Sequence, residues 1–288
     1  MNKLVLKSPA KLNLYLNVLR KRPDGYHDIE TIFEKISLFD IVTIRPENTG
    51  IKITTDNPAL PTGRRNLAYK AARILFDKTG FKGGVRINIK KNIPVCSGLG
   101  GGSSNAATVL SGVNRLFRLG LKRSELIEIG RAIGADVPFF LHDCSFAIGR
   151  NKGDDVAPIY NDVIIWHIII PFTFGCETKR VYGDLTLGLT PNIVDVTIFR
   201  RFLMRKDIEN LATSLYNKLE EVVFKKAEII GSTKSLLLEK GAYGALLSGS
   251  GSAIFGITKT REEAIAVRRR VNASIGSGSK ALIVKTFN

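Results

Sequence analysis

A glycine cluster, Gly98, Gly100, Gly101 and Gly102, stands where a strand-like segment meets a helix-like one, and few folds accommodate that arrangement. Upstream, Val85, Ile87 and Ile89 alternate with polar residues as a half-buried strand does. Downstream, Ala107, Val109, Val113, Leu116 and Phe117 share one broad helical face that begins near Ser104 and ends before Gly120. Glycines carry no Cβ, so backbone N–H groups can converge on an anion there. The free N–H groups and dipole of the following helix put positive potential at the same point. Pro94, Val95, Cys96, Ser97, Gly98, Leu99, Gly100, Gly101, Gly102, Ser103 and Ser104 therefore read as a phosphate cradle, to which Ser103 and Ser104 add hydroxyl donors. The loop lacks the Gly-Lys-Ser/Thr ending of a P-loop, and its spacing is not that of the Rossmann fingerprint, so neither of those nucleotide folds is implied.

Helix caps punctuate the rest. Asn66 reads as an N-cap before Leu67, Ala71, Ile74 and Leu75, with Gly80 stopping the run, and Ser124 starts a short helix to Ile133. Beyond about residue 158 the pattern changes to a strand over 163–170, helices including one around 211–224, and paired strands near 245–247 and 253–257. A helix follows, with Thr260 and Glu263 as its capping box and Gly276 as its end, and a strand over 281–284 closes the chain. The order β-α-β-β-α-β predicts a ferredoxin-like second half.

Composition excludes several classes. The longest apolar stretch, 163–172, is too short for a membrane span, and the first residues lack the apolar core of a secretory signal, so an intracellular, cytoplasmic protein is expected. Cys96, Cys144 and Cys176 give neither a disulfide framework nor zinc-site spacing. With 43 Lys and Arg against 26 Asp and Glu, the formal charge of +17 favours anionic partners without choosing among them. The basic residues are spread out, with no aromatic-studded strand of an RNA-recognition motif, so nucleic acid is not the expected primary partner.

Three further segments carry polar residues worth following. Lys11 and Asn13, two apart in Ser8–Leu14, fall on one face of a strand whose other face is apolar. Asp136, between a helix end and Val137-Pro138-Phe139-Phe140, suits a helix cap as well as a reactive carboxylate. Asp24-Gly25-Tyr26-His27 begins as a turn and ends in two planar side chains suited to holding a ring. His142 and His167 have apolar neighbours and read as packing or surface residues, and Leu247–Ser252 reads as a hairpin turn.

Taken in this order, the segments resemble the small-molecule kinase superfamily named for galactokinase, homoserine kinase, mevalonate kinase and phosphomevalonate kinase. Residues 94–107 look like its ATP loop, Leu247–Ser252 like its C-terminal glycine motif and Ser8–Leu14 like its N-terminal strand motif. The last of these, followed by Lys21-Arg22-Pro23-Asp24-Gly25-Tyr26-His27, is similar to one branch of the superfamily, whose substrate is a cytidine diphosphate-linked methylerythritol. The resemblance implies an α+β fold of two domains. Residues 1–158 would be a ribosomal-protein-S5-like ATP-binding and catalytic domain, and residues 159–288 a ferredoxin-like domain completing the substrate site.

It also implies transfer of phosphate from ATP, with Mg2+, to the 2-hydroxyl of that substrate in the non-mevalonate route to isoprenoid precursors. By resemblance Lys11 and Asp136 are the catalytic pair, Asn66 and Lys91 lie near the nucleotide, and Asn13, Tyr26, His27 and Tyr182 serve the substrate, Tyr182 by stacking on cytosine. One position departs from the pattern. Glu177 stands where the family more often carries a small hydroxyl residue, and it is expected to point away from an anionic substrate.

Overall fold

The computed structural model describes residues 3–186, 195–275 and 280–287. Its first sheet grows from one long hairpin, in which β1 (Leu4–Lys21) and β2 (His27–Glu47) pair antiparallel from Leu4 opposite Ile44 to Lys21 opposite His27. The Arg22 N–H donates to the Tyr26 carbonyl at 2.8 Å to close the turn. Register shifts after Pro9, Asn13 and Val18 bend the pair, as bulges do. β3 (Gly50–Thr55) runs parallel to β4 (Gly84–Lys90), and β4 pairs with the far part of β2. β5 (Phe146–Arg150) pairs with both β2 and β6 (Asp155–Ile159).

Val85, Ile87 and Ile89 of β4 are buried while Arg86, Asn88 and Lys90 are exposed, so the alternation read from the residues is the alternation of the sheet. Four helices cover that apolar face: α1 (Leu67–Thr79), α2 (Gly101–Phe117), α3 (Arg123–Ile133) and α4 (Val137–Leu141). Asn66 caps α1 by accepting from the Ala68 N–H, and Gly80 ends it in the left-handed conformation, as its position predicts. Ala68, Ala71, Leu75, Ala106, Val109 and Val113 pack with Val42, Ile44, Val85 and Ile87 in one core. Helix α2 starts at Gly101, before the expected Ser104, because Gly100 takes the N-cap position. Helix α3 starts at Arg123, with the Glu125 side chain closing its first turn.

The chain then enters a second sheet at β7 (Trp166–Ile170), returns to the edge of the first at β8 (Tyr216–Asn217), and completes the second with β9 (Gly244–Leu247), β10 (Ile254–Thr258) and β11 (Leu282–Lys285). The second sheet is antiparallel throughout, in the order β11-β7-β10-β9. Between its strands run α5 (Thr178–Gly183), α6 (Val196–Met204), α7 (Ile208–Thr213), α8 (Glu220–Lys226), α9 (Glu228–Glu239) and α10 (Arg261–Ser274). This is the ferredoxin-like order, and Thr260 and Glu263 form the expected capping box of α10. Gly276, read as the end of that helix, lies outside the described residues.

Both faces of the second sheet are buried. Ile168, Ile170, Leu247 and Ile254 pack on α9 and α10 through Ile230, Leu237, Val267 and Val271. Ile169, Leu246, Phe255 and Val284 join Leu12, Leu14, Ile32 and Ile36 of the first sheet in one core. Double burial explains why 163–172 reads as continuously apolar.

Two expectations need correction. The strand is confined to Trp166–Ile170: the Ile165 N–H donates to the Thr286 hydroxyl at 2.9 Å, and only its carbonyl still bonds backbone, accepting from the Thr286 N–H at 3.0 Å. The helix expected around 211–224 is broken into α7, β8 and α8. Tyr216 and Asn217 pair parallel with Tyr15 and Leu16, a long-range contact that overrides local periodicity.

Candidate active site

Strand β1 brings Lys11 and Asn13 to one buried face, where the Lys11 ammonium donates to Asn13 Oδ1. The Asn13 amide is itself oriented, donating to the Thr31 hydroxyl at 2.8 Å, and that hydroxyl donates to the Tyr15 carbonyl at 2.6 Å. Lys11 Nζ lies 3.7 Å from Asp136 Oδ2, with the lysine side chain 5% exposed and the carboxylate 31%. Burial pulls the Lys11 pKa below its ordinary value, while the charge and hydrogen bond of Asp136 oppose that fall. Asp136 occupies the N-cap position of α4, but its side chain makes no capping hydrogen bond. Its carboxylate faces the Lys11 ammonium and stays partly open, and the capping reading falls.

The glycine loop wraps around this pair. The Lys11 N–H donates to the Leu99 carbonyl at 3.0 Å, and the Ser97 hydroxyl closes a turn on the Pro94 carbonyl at 2.8 Å. Leu99 is buried, whereas Val95 and Cys96 are exposed. Helix α2 opens with Gly101, Gly102 and Ser103 and has no acid in its first turn, so its free N–H groups and positive dipole end are not neutralised from within. Ser104 departs from the expected role. Its hydroxyl is buried and bonded to that of Ser8 at 2.8 Å, and its N–H is taken by the Gly100 carbonyl, so it ties helix to strand and leaves Ser103 as the loop's available hydroxyl.

Leu247–Ser252 is more than a hairpin turn. The Ser248 hydroxyl donates to the Gly98 carbonyl at 3.1 Å, and the Ala253 N–H donates to the Ser97 carbonyl at 3.0 Å. A Cβ at Gly98 would lie 1.9 Å from the Ser248 carbonyl oxygen, and one at Gly249 would lie 3.2 Å from both Lys11 Nζ and Asn13 Oδ1. Asn217 holds this second loop from beneath, donating to the Leu247 carbonyl at 2.9 Å and to the Gly249 carbonyl at 2.7 Å. Three segments far apart in the chain therefore meet at Lys11.

His27 is buried and its ring lies 5.3 Å from that of Tyr182 between centroids, tilted by 35°. Burial pushes the Tyr182 hydroxyl pKa up, and the charge of Asp136 adds to it. Burial, then the charge of Lys21, lowers that of His27. Tyr26 does not join this pair: it is 58% exposed, with the Lys152 ammonium over its ring.

The Asn66 side chain accepts from the Ala68 N–H at 2.9 Å and donates to the Pro61 carbonyl at 2.7 Å. Its neighbour Leu67 reaches Gly102, so the start of α1 adjoins the loop. Lys91 pairs with buried Asp40, its ammonium beside Gly101. Glu177 is exposed ahead of α5. Thr31 and Asn217 were missed by sequence reasoning, and Gly249 was seen only as one residue of the second glycine motif. Neither Thr31 nor Asn217 carried a local signal.

Comparison with known proteins bears on this arrangement. Residues 66–144 match the GHMP kinases N terminal domain and residues 199–276 the GHMP kinases C terminal model. The chain is 42% identical to the 4-diphosphocytidyl-2-C-methyl-D-erythritol kinase of Syntrophus aciditrophicus, over 91% of this chain and 92% of that one. It is 43% identical to the enzyme of the same name from Geobacter metallireducens, over 92% of each. A crystal structure of 4-(cytidine 5'-diphospho)-2C-methyl-D-erythritol kinase superposes with a TM-score of 0.82 at 30% identity, covering 99% of this chain and 100% of the other. The chain thus belongs to the GHMP kinases and, within them, to the 4-diphosphocytidyl-2-C-methyl-D-erythritol kinase family.

Proposed function

We propose that this chain transfers the terminal phosphoryl group of ATP to the 2-hydroxyl of 4-diphosphocytidyl-2-C-methyl-D-erythritol, in the cytoplasm, as a step of non-mevalonate isoprenoid precursor synthesis. The observation that carries the chemistry is the meeting of Lys11 and Asp136 at 3.7 Å beside the open N-terminus of α2. Asp136 accepts the proton of the attacking hydroxyl. Lys11 stabilises negative charge on the reacting oxygens and on the group in flight, in a buried setting where that attraction is stronger than in water.

The loop from Gly98 to Ser103 holds the phosphates through backbone N–H groups, with Lys91 at its flank. Asn13, Tyr26, His27 and Tyr182 hold the substrate, with the aromatic rings and the His27 imidazole at its cytosine end. Residues 1–158 form the ATP-binding and catalytic part, and residues 159–288 complete the substrate site by supplying Tyr182 and the second glycine loop.

Mg2+ fits this donor set as an ion carried in on ATP. Among the described residues no group of three or more His, Cys, Asp or Glu side chains is placed to form a cage. The Ser103 hydroxyl, in the first turn of α2, is the protein oxygen at the loop that would hold it. Bound with ATP, the ion offsets charge on the phosphate oxygens. Among the described residues no helix is long and apolar enough to cross a membrane.

A coupled assay tests the reading: ATP consumption is expected only with the cytidyl compound present. Turnover with homoserine or mevalonate in its place would overturn the substrate assignment.

A further inference from the structure

Asp40, in β2, is fully buried, and it stands opposite Ser8 in the pairing of β1 with β2. Its carboxylate has four partners, and all four are donors. Oδ1 accepts from the N–H groups of Asn92 at 2.8 Å and Ile93 at 2.9 Å, the residues just ahead of Pro94. Oδ2 accepts from the Lys91 ammonium and from the Asn105 amide at 2.9 Å. Asn105 lies in α2 directly after the glycine loop, and its amide also donates to the Ser8 hydroxyl at 2.9 Å. One carboxylate thus grips both ends of the loop.

We propose that Asp40 is a positioning residue for the nucleotide, acting as a clamp that fixes the span of the loop and parks Lys91 beside Gly101. The inference rests on the kinase reading above. A loop of glycines has no side chains to define its own curvature, so the separation of its ends decides whether its N–H groups converge. The clamp fixes that separation from beneath, without touching nucleotide. It also balances the Lys91 charge inside the protein, where an unpaired ammonium would be costly. Asp136 and the rings of His27 and Tyr182 are not among the clamp's partners, so its effect falls on the ATP side.

Asp40→Asn tests this with little change of volume. An amide offers one acceptor oxygen where four donors converge, so whichever way it turns it releases one end of the loop. Asn105→Ala releases only the helix end and serves if the first variant does not fold. Binding of MgADP and of the cytidyl substrate is measured separately by calorimetry, with thermal melting as the check on folding. In the folded variants the MgADP Kd is expected to rise by more than about threefold, with the cytidyl Kd unchanged within about threefold. MgADP binding within about threefold of wild type, or a parallel loss for both ligands, overturns the clamp. Wild-type protein that binds MgADP yet fails to turn over the cytidyl compound sinks the functional reading instead, and the clamp is then judged on MgADP alone.

Discussion

Lys11 Nζ and Asp136 Oδ2 stand 3.7 Å apart, the ammonium buried and the carboxylate open on one side, joining a central strand to the start of a short helix. Asp136→Asn is expected to lower kcat by about 10²–10⁴-fold, the usual worth of a positioned base. The melting temperature should fall as well, since the variant leaves the buried Lys11 ammonium without its counter-charge, so kcat is read on folded protein. A kcat within about tenfold of wild type in the coupled assay would remove Asp136 from that role.

Lys11 works as a cation, and burial holds its pKa below the ordinary 10.5. A cation with a depressed pKa is fully charged only below that depressed value, so kcat/KM should fall as pH rises through a point under 10.5. Lys11→Arg should abolish this alkaline limb whatever its absolute rate, because a guanidinium stays charged. A limb that persists unchanged in the arginine variant assigns it to another group.

Removing the Tyr182 ring should act chiefly on binding. Stacking of an aromatic on a base contributes about 1–3 kcal/mol, so Tyr182→Ala should raise the KM for the cytidyl substrate by about fivefold or more, with a smaller loss in kcat. Tyr182→Phe keeps the ring against His27 and should stay within about threefold of wild type. An unchanged KM in the alanine variant would end the stacking assignment.

Gly98→Ala sets a methyl against the Ser248 carbonyl, 1.9 Å away, at a φ of 78°. Both the clash with backbone and the left-handed conformation oppose it, at a cost of about 2–4 kcal/mol. Denaturant unfolding should show the loss, and the two glycine loops should separate with it. Gly63→Ala, where a Cβ meets nothing, is the control and should be near neutral.

Much of this was legible because it is local. Asn66 and Gly80 bracket α1 through their own backbone chemistry, and Val85, Ile87 and Ile89 declare a half-buried strand within a few residues. Lys11 and Asn13 gave their shared face by spacing alone, but only the resemblance paired Lys11 with Asp136. What stayed hidden depends on distant partners. Ser104 looked like a free hydroxyl until Ser8 took it, and 211–224 looked helical until β1 offered Tyr216 and Asn217 an edge. Nothing near Asn217 announces that its amide carries the second glycine loop.

That short return to the first sheet has a mechanical consequence. β8 travels with the strand bearing Lys11, and Asn217 at its end grips the loop bearing Gly249, so the two halves of the molecule are pinned at the reaction centre itself. A wide hinge opening between them would have to part β8 from β1 or strip Asn217 from two carbonyls. Ligand entry is therefore expected through local movement at the rim, around the turn that carries Tyr26 and the start of α5, while the floor of the cleft stays still.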